Sequence, residues 1–135
     1  MLSTRRMFMA FVVALLAVEL YGIVVFGRAL NALHLAHQNW LRPPEQVPLL
    51  RALLASALHV ALVTLFYALF ARGRASRLST GLVFGVLLGL IAGWIPEARM
   101  KFLIAGYPFY EAWAPALFGE YVLMGAVLGL VYHEE

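Results

Sequence analysis

Three residues set an ionisable side chain inside an otherwise apolar run: Glu19, His59 and Glu120. An acid or base at the middle of a membrane-spanning helix costs roughly 2.5–3.5 kcal/mol on the insertion scale, so each needs a physical reason to be there. A protonated imidazole between two carboxylates would neutralise most of the charge. Alternatively, a low-dielectric setting favours the uncharged carboxylic acid. Either arrangement makes a proton-titratable cluster, which Tyr21, Ser56, Thr64 and Tyr121 are placed to extend. Such a cluster serves as a proton or cation site, or as a polar pocket for a substrate headgroup. The competing role is structural, as polar contacts that hold helices together.

Other chemistry finds little material. The serines are Ser3, Ser56, Ser76 and Ser79, none in a nucleophile motif, and there is no aspartate and no cysteine. Ser-His-Asp and thiol catalysis, disulfides and cysteine metal sites are therefore excluded. No phosphate-binding loop or dinucleotide fingerprint occurs. His34 and His37 share a helical face at i, i+3 and are weak metal candidates, since Glu45 or Glu111 would have to complete the set. Pairing His59 with either histidine around a haem is disfavoured by an estimated depth difference of more than about 10 Å. No cofactor follows from the residues, and a non-enzymatic role is expected.

The elements that must position these groups follow from composition. Of 135 residues, 64% are hydrophobic and 13% charged, against roughly 45–50% and about 25% in soluble domains. A small soluble globule cannot hide so much apolar surface. About 20 apolar residues span a bilayer as a helix, and four runs qualify: 7–27, 52–71, 78–95 and 112–132. They are continuously apolar, without the alternation of a transmembrane β-barrel. The first run exceeds the usual signal-peptide core of about 7–15 residues, and no A-x-A site closes it, so it reads as a retained helix. The expected fold is an all-α membrane protein, a four-helix bundle in one domain over 1–135.

Arginine and lysine number five on each side, so their count alone does not orient the chain. The basic side chains of the short 72–77 turn (Arg72, Arg74, Arg77) are unopposed within it, however, whereas the opposite loops also carry Glu45, Glu97 and Glu111. The first span is led by Arg5 and Arg6. Both features favour cytoplasmic N- and C-termini in a bacterial-type inner (plasma) membrane. The net charge of +3 then means arginines facing anionic headgroups, with no call for a nucleic-acid partner. In that orientation Glu19, His59 and Glu120 lie about 12, 10 and 12 Å below the outer ends of their helices, one common level. Trp40, Trp94, Trp113, Phe102, Tyr107, Phe109 and Tyr110 fall on the outer side, making 96–111 an aromatic interfacial segment between the third and fourth helices.

Gly81, Gly85, Gly89 and Gly93 recur every four residues, so they line one face of the third span. Close backbone approach is what joins helices where lipid removes the hydrophobic drive. Gly125 and Gly129 give the fourth span a matching ridge, and a crossing of these two spans within one chain is the economical arrangement. A homodimer across the Gly81–Gly93 face is the alternative.

The stretch Ala17-Val18-Glu19-Leu20-Tyr21-Gly22 resembles the first-span pattern of the small multidrug resistance transporters, four-helix proteins with one essential glutamate there. The likeness covers those few residues. The other spans lack that family's motifs, and this chain adds a second glutamate, a histidine and a long 96–111 connection. The primary expectation is an accessory or assembly subunit, joined to the bilayer and to copies of itself or another membrane protein. The alternative is a small proton-coupled transporter or ligand-binding membrane protein using Glu19, His59 and Glu120.

Overall fold

The computed structural model describes residues 4–32, 48–74, 77–96 and 109–132, with side chains from 112 onward in the last stretch. Helix α1 runs Thr4–Tyr21 and continues into a π-helical segment, Gly22–Ala29. Helix α2 spans Leu49–Phe70. Helix α3 spans Arg77–Leu88 and passes into a second π-helical segment, Gly89–Trp94. Helix α4 spans Phe109–Val131, with Pro115 near its start. No strand occurs among the described residues.

Thr4–Ala29, Leu49–Phe70, Arg77–Trp94 and Ala112–Val131 are each long and apolar enough to cross a membrane. They coincide with the four apolar runs to within a few residues, the ordinary scatter of helix ends. The helices alternate in direction. The last part of α1 meets the first part of α4, where Tyr21 bonds the Ala116 carbonyl. At the other end Tyr67 of α2 packs edge-on against Phe84 of α3 and against Tyr132, just past α4. Arg5, Arg6, Arg72, Arg74 and Arg77 therefore gather at one end of the bundle.

A tight turn makes the α2–α3 connection. The Ala71 N–H donates to the Tyr67 carbonyl at 2.8 Å, and the Arg74 N–H to the Ala71 carbonyl at 3.1 Å. Between them Gly73 takes φ +72°, a left-handed conformation that a side chain would strain. The Arg74 guanidinium lies over the Phe70 ring, 4.0 Å from its centroid, and also donates to the Phe70 carbonyl. The last turn of α2 is thus closed by its own arginine.

Helix α4 is the hub. It packs along α3 on one side and α1 on the other, while α2 leans mainly on α1. The α3–α4 crossing is made by glycine. A Cβ added at Gly85 would stand 2.6 Å from the Tyr121 carbonyl oxygen and 2.9 Å from Val122 Cα. One at Gly81 would stand 2.8 Å from Gly129 Cα, and one at Gly125 would stand 2.6 Å from Gly85 Cα. The Gly81–Gly93 ridge is thus occupied inside the chain, against the backbone of α4.

Ala10, Ala14 and Val18, spaced by four on α1, join Val60, Val63 and Tyr67 of α2, Phe84 of α3, and Tyr121, Met124 and Leu128 of α4 in the core. Outside it the pattern inverts. Leu50, Leu54, Leu58 and Leu62 form an exposed row on α2, with Leu50 72% accessible, and α1 and α3 expose comparable rows. Continuous apolar faces of this extent are foreign to monomeric soluble proteins.

Candidate functional site

Each helix face at the centre of the bundle is set by a short sequence interval. On α4, Ala116, Gly119 and Glu120 share the side turned to α1, because i, i+3 and i+4 lie one above another on a helix. Phe118, Tyr121, Val122, Gly125 and Gly129 lie on the side turned to α3. On α2, Ser56 and His59 are one turn apart. Glu19 and Tyr21 approach from α1, at the point where the α-helical ladder gives way to its π-helical segment. Single π turns within helices occur frequently at functional sites.

The Ser56 and Glu19 side chains meet. The Ser56 hydroxyl donates to Glu19 Oε1 at 2.5 Å, within the short range of hydrogen bonds to a carboxylate. Glu19 and Glu120 are close enough to interact electrostatically, and Glu120 also interacts with Tyr21 and Tyr121. None of these partners is cationic. The Tyr21 hydroxyl donates to the Ala116 carbonyl at 2.7 Å, tying α1 to α4 one turn from Glu120. Gly119 leaves room for it: a Cβ there would lie 2.6 Å from the Tyr21 oxygen.

His59 is brought to the cluster edge rather than between the carboxyls. Its ring packs edge-on against Tyr121, 5.5 Å between centroids, and no ion pair joins it to Glu19 or Glu120 among the described residues. Of the two arrangements open from sequence, the imidazole bridge has no ion pair to support it among the described residues. One turn of α2 past Ser56 carries the ring round towards Tyr121. Thr64 also stays outside, its hydroxyl spent on the Val60 carbonyl at 2.8 Å. Tyr121 is 8% accessible, and its side chain lies against the glycine face of α3 at Gly89 and Gly93.

Beyond Tyr21 a row of aromatic rings links α1 to α4 through Phe26, which the sequence pattern did not single out. Tyr21 packs edge-on against Phe26 at 6.0 Å, and Phe26 against Trp113 at 4.5 Å. Tyr21 and Phe26 are five apart, a separation that aligns side chains on a π turn and not on an α-helix. The signal was invisible without knowing that the ladder changes after Tyr21.

No group of three or more histidine, aspartate or glutamate side chains among the described residues could hold a metal ion. His34, His37 and Glu45, with the 97–108 part of the aromatic segment, lie outside the described residues. Comparison with protein families, with curated proteins and with solved structures finds no match to this chain.

Proposed function

We propose that this chain is a multi-pass protein of the inner (plasma) membrane, both termini cytoplasmic, that loads and releases a proton or small cation at the Glu19–Glu120 pair. The observation that carries this reading is a pair of mid-helix glutamates on different helices, Glu19 held by the Ser56 hydroxyl and Glu120 within electrostatic range of it. Two adjacent negative charges in a medium of low dielectric are strongly disfavoured, so such a pair holds a proton or a counter-ion. A group that must be neutralised in this way is suited to coupling uptake on one side to release on the other. Exposure of the leucine rows on α2 fits lipid contact.

The test uses a carbodiimide that attacks carboxylic acids in apolar surroundings (dicyclohexylcarbodiimide) on the purified protein in phosphatidylcholine vesicles. Modification mapped by mass spectrometry to Glu19 or Glu120, and absent from E19Q/E120Q, is the expected result. A folded, vesicle-inserted wild type that resists the reagent overturns the proposal. The second reading, an accessory subunit in which the polar groups only hold helices together, draws on the Ser56–Glu19 bond, which joins α1 to α2. On that reading S56A loosens the bundle, and neither it nor the wild type reacts with the carbodiimide.

A further inference from the structure

Five arginines gather at one end of the bundle, Arg5 and Arg6 from α1 and Arg72, Arg74 and Arg77 from the α2–α3 connection. The glutamate side chains among the described residues, Glu19 and Glu120, lie at mid-helix, away from that end. Glu134 and Glu135, outside the described residues, follow Tyr132 there and still leave positive charge in excess. Arg72, Arg74 and Arg77 are exposed, and the backbone of 71–74 is fixed by the Ala71 and Arg74 N–H bonds and the left-handed Gly73. Arg74 is held further. Its guanidinium lies over the Phe70 ring and donates to the Phe70 carbonyl. A guanidinium carries five N–H donors, so the others remain for an anion, on a side chain that the fold has already ordered.

What borders the arginines selects the anion. Phe66 and Leu69, three apart near the end of α2, and Leu78 and Leu82, four apart near the start of α3, are exposed apolar side chains. They lead from the arginine turn into the apolar spans, so a phosphate held at the turn would find room beside it for hydrocarbon. A free phosphate or an acidic peptide makes no use of that apolar border. A zwitterionic headgroup brings a cation of its own to the arginines, whereas an anionic one brings none. The planar fork of arginine matches phosphate oxygens two at a time. We infer that Arg72, Arg74 and Arg77 form a headgroup site for an anionic glycerophospholipid of the phosphatidylglycerol type, with its acyl chains along the exposed faces of α2 and α3. The site is independent of the Glu19–Glu120 reading.

Native mass spectrometry of the full chain tests it, with the protein released from detergent micelles that hold phosphatidylglycerol and phosphatidylcholine in equal amounts. The wild type should retain phosphatidylglycerol in preference to phosphatidylcholine. R72Q/R74Q should lower that preference more than about tenfold, at roughly fivefold for each arginine beside an anionic headgroup. R72Q/R77Q, which spares the contact of Arg74 with Phe70, should do the same, so a loosened end of α2 is not mistaken for a lost lipid; helical circular dichroism checks that each variant is folded. R28Q/R51Q removes as much charge from the opposite end and should leave the preference unchanged. R74K keeps the charge without the planar fork and should lose part of the preference; full preference in R74K overturns the role of the held guanidinium. Equal retention of the two lipids by the wild type overturns the site. So does full preference in folded R72Q/R74Q and R72Q/R77Q. An equal loss in R28Q/R51Q overturns it too, since net charge alone would then account for the binding.

Discussion

Replacing Gly85 by alanine puts one methyl group where two backbones already touch. Its carbon would lie 2.6 Å from the Tyr121 carbonyl oxygen and 2.9 Å from Val122 Cα, whereas ordinary contact begins at 3.4 Å. The helices must then part by about 0.8 Å, the difference between 3.4 and 2.6 Å. Both obstacles are main chain, so no rotamer change relieves them. A gap of 0.5–1 Å forfeits about a quarter to a half of each van der Waals well along the seam. Overpacking penalties run about 1–3 kcal/mol, and the upper part of that range is expected for G85A. Gly93 provides a milder case, since its added carbon would meet nothing closer than 3.3 Å; G93A should cost under about 1 kcal/mol. Gly22 has nothing within 4 Å, so G22A should be neutral, or stabilising by about 0.5–1 kcal/mol through the lower backbone entropy of alanine. The assay is equilibrium unfolding in mixed micelles of rising dodecyl sulfate content, followed by helical circular dichroism. A G85A protein within about 0.5 kcal/mol of G22A, or a G93A more damaging than G85A, refutes the backbone-contact account of the seam.

Two further outcomes use the same unfolding assay. Y21F removes the hydrogen bond to the Ala116 carbonyl and should cost about 0.5–1.5 kcal/mol; because a Gly119 Cβ would meet the Tyr21 oxygen at 2.6 Å, Y21F/G119A should be less destabilised than the two single changes added together, and strict additivity would deny that contact. Tyr67 is 1% accessible and packs against Phe84 and Tyr132, so Y67A should cost about 3–5 kcal/mol, as large aromatic deletions do. The exposed Leu62 on the same helix is the comparison: L62A should stay within about 0.5 kcal/mol of wild type.

Much of this arrangement is written in intervals that survive folding. The four apolar runs are long enough to be helices whatever packs against them, and Gly81, Gly85, Gly89 and Gly93 declare their shared face by period alone. A common depth for Glu19 and Glu120 follows from counting residues, and the two lie within electrostatic range of each other. The direction of His59 could not be read in the same way. Helix α2 is apolar nearly all round, so no polar stripe fixes its rotation about its own axis. That rotation is settled by contacts distant in sequence, Ser56 with Glu19 and Tyr67 with Phe84 and Tyr132. They turn the imidazole to Tyr121. The π-helical segments were hidden for a related reason. They alter which residues align without altering how apolar the run is, so the Tyr21–Phe26–Trp113 contact had no counterpart in the sequence pattern.

The two faces of α4 assign different mechanical roles to its neighbours. Towards α3 it offers Gly125, Gly129 and the backbone at Tyr121 and Val122, and the contact is main chain on main chain. Interfaces of that kind have no slack, because sliding them requires both backbones to separate. Towards α1 it offers Ala116, Gly119 and Glu120, and the contact includes one tyrosine hydrogen bond, with Glu120 within electrostatic range of Glu19. Those interactions can be exchanged for others, and the carboxyl pair becomes repulsive once both groups are charged and no cation is bound. On the proposed function, a proton or cation leaving the pair would push α1 and α4 apart while α3 and α4 stay together. The π-helical segment after Tyr21 lies where α1 would bend, since its ladder already departs from the α-helical pattern there. Loading and release at the proposed site thus fall on the α1–α4 boundary, with α3–α4 as the fixed half.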